Sequence, residues 1–199
     1  MKLVEIRRRV NQRSGLALGN GAVDALINEA LAQISDEDDW PWLKIAVTGT
    51  WETDATTLAV PDTMKAVRYL DVAGTIYRPQ ESDQTAAYRT DGDRAIGFSV
   101  EAGTITPTPT PANAAAYTLH GVALEKILDG DAEEPRIPDT WIGCVVSLAI
   151  SMAHDRPEGN DKAGARAQAR YDSQLHRMRR SVRNPTRGAR VPRGRSDVI

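Results

Sequence analysis

The segment 177–199 carries the residues of this chain that are best suited to strong polar recognition. It contains eight arginines and no lysine, and successive arginines are one to four positions apart. A guanidinium group presents a planar fork of N–H donors that matches a carboxylate or a phosphate. The series therefore predicts a docking surface for one of these groups, formed by Arg177, Arg179, Arg180, Arg183, Arg187, Arg190, Arg193 and Arg195.

Charge is distributed very unevenly along the chain. The segment 177–199 holds eight of the 25 basic residues and one of the 27 acidic residues, so it carries +7 while the other 176 residues carry −9. Because the segment is poor in apolar residues and contains two prolines, we expect it to be extended and to become ordered only against a partner. That partner is either an acidic protein surface or the phosphates of a nucleic acid, which basic arms bind without sequence preference.

Other residue types that could do chemistry are present but scattered. His120, His154 and His176 lack the spacing of a metal site, and Cys144 lies among apolar residues of a predicted helix, where a buried inert thiol is expected. The acidic run 36–39 lacks the alternating ligands and the glycine of a calcium loop. The sequence predicts no catalytic residue, no cofactor and no metal, and we expect no enzyme activity.

Four helices are predicted to position the basic segment. Apolar residues recur at helical spacing in 3–10, 23–34, 141–152 and 163–178. The arginine run 7–9 lies opposite the first apolar stripe, where it faces solvent or a partner. The second helix should end near the acidic run 36–39, because carboxylates are unfavourable at the C-terminal end of a helix dipole.

The region between the second and third helices has the residue composition of a β-sheet. Short runs rich in Val, Ile, Thr and Tyr alternate with Gly, Pro and Asp, and they predict strands at 45–51, 57–60, 66–72, 75–78, 95–100, 104–106 and 117–122. The alternating Thr-Pro series at 106–111 predicts an extended loop, because proline removes a ladder donor. A ligand for an SH3-type domain is the alternative for that series.

These elements predict an α+β fold: a four-helix bundle-like α domain, with an antiparallel β insertion between helices 2 and 3 and an extended basic C-terminal tail. The helical domain comprises 1–43 and 136–178, the β-rich module 44–135, and the docking tail 177–199. Four residues are expected to fill the junction of bundle and module, since aromatic residues at such places pack apolar area. They are Trp40, Pro41, Trp42 and Trp141.

Several short motifs follow one another in a distinctive order between about Leu3 and Met178. They are Asp39-Trp40-Pro41-Trp42-Leu43, Thr48-Gly49-Thr50, Leu58-Ala59-Val60-Pro61-Asp62, Val67-Arg68-Tyr69-Leu70, Thr106-Pro107-Thr108-Pro109, Tyr117-Thr118-Leu119, Ile137-Pro138-Asp139-Thr140-Trp141 and an Ala-rich helix through Tyr171. This order resembles the head–tail adaptor (head-completion or connector) proteins of tailed bacteriophages and gene transfer agents.

The resemblance implies a structural protein of the virion neck, made in the host cytoplasm. It implies a ring, usually of twelve copies, that lies below the portal, extends the DNA channel and offers a platform to the next neck or tail protein, such as a stopper or tail terminator. The docking of the basic segment on the portal protein is part of the same expectation. DNA would pass through the channel without specific binding. The net charge of −9 on the residues outside 177–199 suits that role, because negative charge repels phosphate. The alternative is a nucleic-acid-binding protein that uses the arginines as a phosphate-binding arm.

Composition limits the remaining classes. A single cysteine excludes an intramolecular disulfide and a zinc cluster of cysteines. Neither a signal peptide nor an apolar run of about 18 residues, the length of a membrane span, is found. We therefore expect a soluble protein without a membrane partner.

Overall fold

The computed structural model describes residues 1–80, 96–157 and 159–183, which group into two units. One unit, the helical unit, comprises Met1–Trp42 and Glu125–Ile199; the other, the β unit, comprises Leu43–Leu124. The helical unit is thus built from two separate stretches of chain, and the β unit from one.

The first two helices follow the predicted apolar stripes. Helix α1 spans Leu3–Ser14 and buries Leu3, Ile6 and Val10, while α2 spans Asn20–Glu37. Gly15 ends α1 in the left-handed conformation (φ 69°), which a glycine adopts without steric cost. All six predicted stripe residues of α2 are buried: Val23, Leu26, Ile27, Ala30, Leu31 and Ile34.

The third helix is the centre of the helical unit. Helix α3 spans Ile142–His154 and contacts α1, α2 and α4, so it is buried on nearly every side. The expectation of a one-sided apolar stripe was wrong for α3, because three helices surround it. Helix α4 spans Asp161–Arg183, and the side chain of Asn160 caps it by accepting a hydrogen bond from the Ala163 amide (3.1 Å).

An irregular segment, 125–138, lies against α1 and α2. Its Glu133 carbonyl accepts a hydrogen bond from the Leu3 amide (2.8 Å), which is one of the amides at the start of α1 that have no partner within the helix. Asn28 and Leu128 exchange two hydrogen bonds of 2.9 Å between the α2 side chain and the segment's backbone. The segment therefore supplies polar partners to both helices.

The described residues of the β unit form seven strands, one at each predicted position. They are β1 (Lys44–Trp51), β2 (Leu58–Ala59), β3 (Met64–Val72), β4 (Thr75–Pro79), β5 (Gly97–Glu101), β6 (Thr104–Thr108) and β7 (Ala115–Ala123). Their spatial order is β1-β7-β3-β4-β5-β6-β2, so strands far apart in sequence are neighbours. All pairs are antiparallel except β4–β5, which is parallel.

The predicted fold, a four-helix bundle with an antiparallel β insertion, is wrong. The chain is α+β, and its described residues form four helices and a seven-stranded, nearly closed, barrel-like sheet. The strand patterns located each strand but not the parallel pair or the curvature. Pairing between distant strands leaves no local pattern, and the number of strands in one sheet therefore could not be inferred.

One apolar cluster fills the β unit. It draws residues from six strands, and Leu58 of the seventh packs against it. A flat sheet could not bring its two ends into one cluster, so the shared core is the physical reason for the curvature. The buried members are Trp51, Met64, Leu70, Val72, Tyr77, Phe98, Ile105 and Leu119.

The Thr-Pro series lies partly in a strand, and the prediction of a loop was wrong for Pro107 and Thr108. Pro107 pairs with Phe98 across β5 and β6. On the other side of β6, strand β2 reaches only Ile105 and Thr104. Pro107 therefore lies where the described sheet places a strand on one side alone, and its missing N–H interrupts no ladder.

Candidate functional site

The predicted docking arginines begin inside helix α4 rather than in an extended tail. Tyr171, Leu175 and Met178 continue the buried stripe of α4, and Met178 is fully buried. This anchoring carries the helix to Arg183, so the prediction of an extended segment was wrong for 177–183. Arg187, Arg190, Arg193 and Arg195 lie outside the described residues.

Arg179 faces the end of helix α2. Its Nη2 donates to the Glu37 backbone oxygen (3.0 Å) and to the Glu37 carboxylate (2.7 Å), and its Nε lies 3.7 Å from an Asp38 oxygen. The carbonyl is one of the last in α2, which have no partner within the helix. A cation here also offsets the negative end of the α2 dipole.

Arg183 adds a weaker contact on the same side. Its Nη2 lies 3.3 Å from the Asp38 carboxylate, and the arginine side chain is 71% exposed. Arg179 and Arg183 are four residues apart, which places them on one face of α4. This face binds the acidic end of α2 in the same molecule.

Arg177 and Arg180 are exposed. Within the described residues, neither side chain forms a hydrogen bond or an ion pair. The predicted arginines of α4 therefore divide into an internal pair, Arg179 and Arg183, and an outward pair, Arg177 and Arg180. The outward pair is available to a partner.

Comparison with known sequences identifies the family. The sequence model of the SU10 adaptor protein family matches residues 1–193. The chain belongs to the SU10 adaptor protein family. This match confirms the resemblance to phage head–tail adaptors. A search of curated proteins found no match.

Membership in the SU10 adaptor family sets the general role. The chain is a phage adaptor protein, a structural protein of the virion that interacts with other head or tail proteins. Proteins of such structural families are not typically enzymes. In the described part of this adaptor, no helix is long and apolar enough to cross a membrane.

The thiol and the histidines of this SU10 adaptor have structural surroundings. Burial, and then the carboxylates of Asp172 and Glu37, raise the pKa of Cys144 to about 12, so the thiol stays protonated at neutral pH. His120 stacks on Tyr69 at 4.2 Å between ring centroids, and His176 is exposed. His154 is buried, and its Nδ1 accepts a hydrogen bond from the Asn160 amide. Across residues 1–80, 96–157 and 159–183, no group of three acidic, His or Cys side chains could hold a metal ion.

Trp40, Trp42 and Trp141 of the adaptor lie beside helix ends. Trp40 is fully buried, donates its indole N–H to the Ile34 carbonyl of α2 (2.6 Å) and stacks on Trp42 at 5.0 Å. Pro41 begins a short 3-10 turn, Pro41–Leu43, and Trp141 ends another, Asp139–Trp141, just before α3. Trp40 therefore satisfies one of the α2 carbonyls without an intrahelical partner. The assignment of these residues to a junction stays a prediction.

Arg7 is a structural residue that the sequence analysis placed on a solvated or partner-binding face. It is 11% exposed and forms two hydrogen bonds with Asp24 (2.7 and 2.8 Å) and one with Asp131 (2.9 Å). The Asp24 hydrogen bond raises the pKa of Arg7 above its usual value. The sequence did contain a signal for this burial, because Arg7 lies four residues after Leu3 and three before Val10, at the border of the buried stripe.

Proposed function

We propose that this chain is a head–tail adaptor that assembles as a ring below the portal protein. The ring extends the DNA channel and presents a platform for the next neck or tail protein. The outward face of α4, with Arg177 and Arg180, and the basic residues that follow it dock on an acidic surface of the portal. The family match over residues 1–193 is the observation that carries this proposal.

The division of the arginines supports the docking part of the proposal. Arg179 and Arg183 hold the C-terminal turns of α4 on α2, and this contact fixes where Arg177 and Arg180 point. The outward arginines are therefore presented on a rigid helix rather than on a free chain, which lowers the conformational entropy lost on binding. Several weak contacts of this kind, repeated around a ring, add through multivalency.

The net charge of the residues outside 177–199 supports the proposal that the ring extends the DNA channel. Outside 177–199 the chain carries −9, and fixed negative charge disfavours adhesion to DNA phosphates. A protein that binds DNA through a basic arm gains nothing from such a body. Ring closure fits a subunit whose two units offer different surfaces to neighbouring copies.

The test is binding to the cognate portal assembly and, separately, to duplex DNA at physiological salt, measured as complex mass. Four proteins are compared: the full chain, a chain that ends at Arg183, the variant R177E/R180E, and the control R8E/R156E. The control changes charge equally at two exposed positions elsewhere in the helical unit.

We expect the full chain to bind the portal with ring stoichiometry. R177E/R180E and the shortened chain should both bind at least about tenfold more weakly, because charge reversal makes the facing carboxylates repel, whereas R8E/R156E should bind as the full chain does. Equal portal binding by all four proteins would refute the docking assignment. Salt-sensitive binding to DNA without portal binding would replace it with the nucleic-acid arm.

A further inference from the structure

A small recess lies in the helical unit, away from the contact of α4 with the end of α2. Its volume is about 230 Å³, and residues of α1, α3 and α4 line it. Ser147, His154 and Ala167 in its lining are buried, whereas three arginines around it are exposed. The polar residues of the lining are Arg13, Ser147, His154, Arg166, Arg170 and Gln174.

His154 contributes an unused donor to the recess. Its side chain is 4% exposed, and its Nδ1 accepts a hydrogen bond from the Asn160 amide (3.2 Å). In the neutral imidazole the proton is consequently on Nε2. Nε2 is buried and has no hydrogen-bond partner in the described structure. Leaving a buried donor unsatisfied is costly, so a negative charge placed close to it is favourable.

The three arginines also lack partners. Within the described part of the chain, Arg13, Arg166 and Arg170 form no ion pair or hydrogen bond, and no carboxylate lines the recess. Arg166 and Arg170 are four residues apart on α4, a spacing at which like charges destabilise a helix. The arrangement concentrates positive charge and N–H donors around a concave site.

We propose that this recess binds a carboxylate side chain from an acidic segment of a protein partner. The guanidinium forks of Arg166 and Arg170 grip the carboxylate oxygens at the rim, with Arg13 of α1 opposite them. The carboxylate then lies close to the buried His154 imidazole, whose Nε2–H has no partner among the described residues. The site is separate from the Arg177 and Arg180 face, so it stands whether or not that face docks on the portal.

A protein carboxylate fits this site better than the phosphates of a duplex. Glutamate and aspartate carry the charged group on a flexible stem, which can enter a recess that ends at a buried imidazole. A phosphate of duplex DNA is held on a stiff, broad cylinder and meets the exposed rim first. The net charge of −9 outside 177–199 also opposes the approach of a long polyanion.

The experiment measures binding of a fluorescent hexaglutamate peptide to the full-length protein by anisotropy, with a hexaglutamine peptide as the neutral probe. R166A/R170A removes the two rim charges of α4. The matched control R8A/R156A removes two exposed arginines elsewhere in the helical unit, outside the recess. A nitrogen NMR spectrum of the wild-type protein follows the His154 Nε2–H during titration, which avoids replacing a buried residue.

We expect R166A/R170A to bind hexaglutamate at least about tenfold more weakly, since each charge-assisted hydrogen bond lost costs on the order of tenfold. R8A/R156A should bind as the wild type does, and the His154 signal should shift as the peptide is added. Equal losses in both variants, or an unmoved His154 signal, would overturn the site. Tighter binding of inorganic phosphate or of a short DNA duplex than of the peptide would overturn the assignment to a protein carboxylate.

Discussion

In the helical unit, segments far apart in sequence are joined by charged side chains, whereas in the β unit the strands are joined by backbone pairing over one apolar cluster. Arg7 connects α1 to α2 and to the segment 125–138, and Arg179 connects α4 to α2. The β unit instead places residues from six strands in a common core. Both units should therefore be sensitive to lost core volume, and the helical unit should also be sensitive to the removal of these charged side chains.

The largest effect is expected from emptying the β core. Phe98→Ala removes a fully buried ring from β5 and should lower the free energy of unfolding by about 3–5 kcal/mol, since the cavity cannot collapse completely. Urea denaturation followed by circular dichroism measures the change. The control is Val100→Ala on the same strand, at a side chain that is 47% exposed, with an expected change within about 0.5 kcal/mol. A similar loss for both would contradict the role of the core.

The next largest loss of stability should come from adding a side chain to the sheet where two strands approach closely. A Cβ added at Gly121 of β7 would lie 2.3 Å from the Ala66 backbone oxygen, beside an irregularity in the pairing of β3. Gly121→Ala should therefore cost about 2–3 kcal/mol, because backbone must move. In Gly21→Ala the new methyl meets no atom within 4 Å, so stability should stay or rise slightly. Thermal unfolding of the two variants separates the effects, and an unchanged melting temperature for Gly121→Ala would refute the close approach.

In the helical unit, removing a charged side chain should lower the stability by a smaller amount. Arg7→Ala leaves Asp24 without its two hydrogen bonds and should cost about 1–2 kcal/mol. Its exposed neighbour Arg8 serves as the control, and Arg8→Ala should change little. A double-mutant cycle with Asp24→Asn isolates the pair. Additive effects of the two single substitutions would show that the contact contributes nothing.

The smallest expected effect is a dependence of stability on pH, in the acid range, that arises from the segment 125–138. The ammonium group of Lys126, followed by the amides of Asp129 and Gly130, lowers the pKa of Glu133 from 4.5 to about 2. A carboxyl group whose pKa is lower in the folded state stabilises the fold above its unfolded pKa. That contribution is lost as the pH falls from about 4.5 to about 2. Denaturation of the wild type across this range should show the loss.

Glu133→Gln tests the assignment by flattening the dependence in that range. Glu125 acts in the opposite sense, because burial raises its pKa and its ionisation opposes folding. The difference between wild type and Glu133→Gln cancels the Glu125 contribution, since both proteins retain it. An identical pH dependence in the two proteins would rule out Glu133 as its source.

Local patterns in the sequence predicted the elements well and their assembly poorly. The stripe of α2 and the seven strand positions follow from helical and alternating periodicities, which residue order alone displays. The parallel β4–β5 pair and the curvature of the sheet depend on contacts between distant strands, which no local period encodes. The same reason explains why α3 was expected to expose one face.

Composition predicted where the candidate site lies in the sequence, but it did not predict the geometry of the site. Eight arginines in one segment identify a binding region, yet they look alike in sequence. The helical positions of Arg179 and Arg183, set by burial of Met178, turn these two toward Glu37 and Asp38. The recess beside His154 was missed because its residues come from three helices.

The β unit has its entrance and exit side by side, because Lys44 at the start of β1 pairs with Val122 near the end of β7. During synthesis the whole β unit leaves the ribosome before α3 and α4 do. Helices α1 and α2 must then wait for α3, the helix that both contact, with their apolar stripes uncovered. The order of translation thus favours early completion of the β unit and leaves the helical unit as the last part of the nascent chain to close.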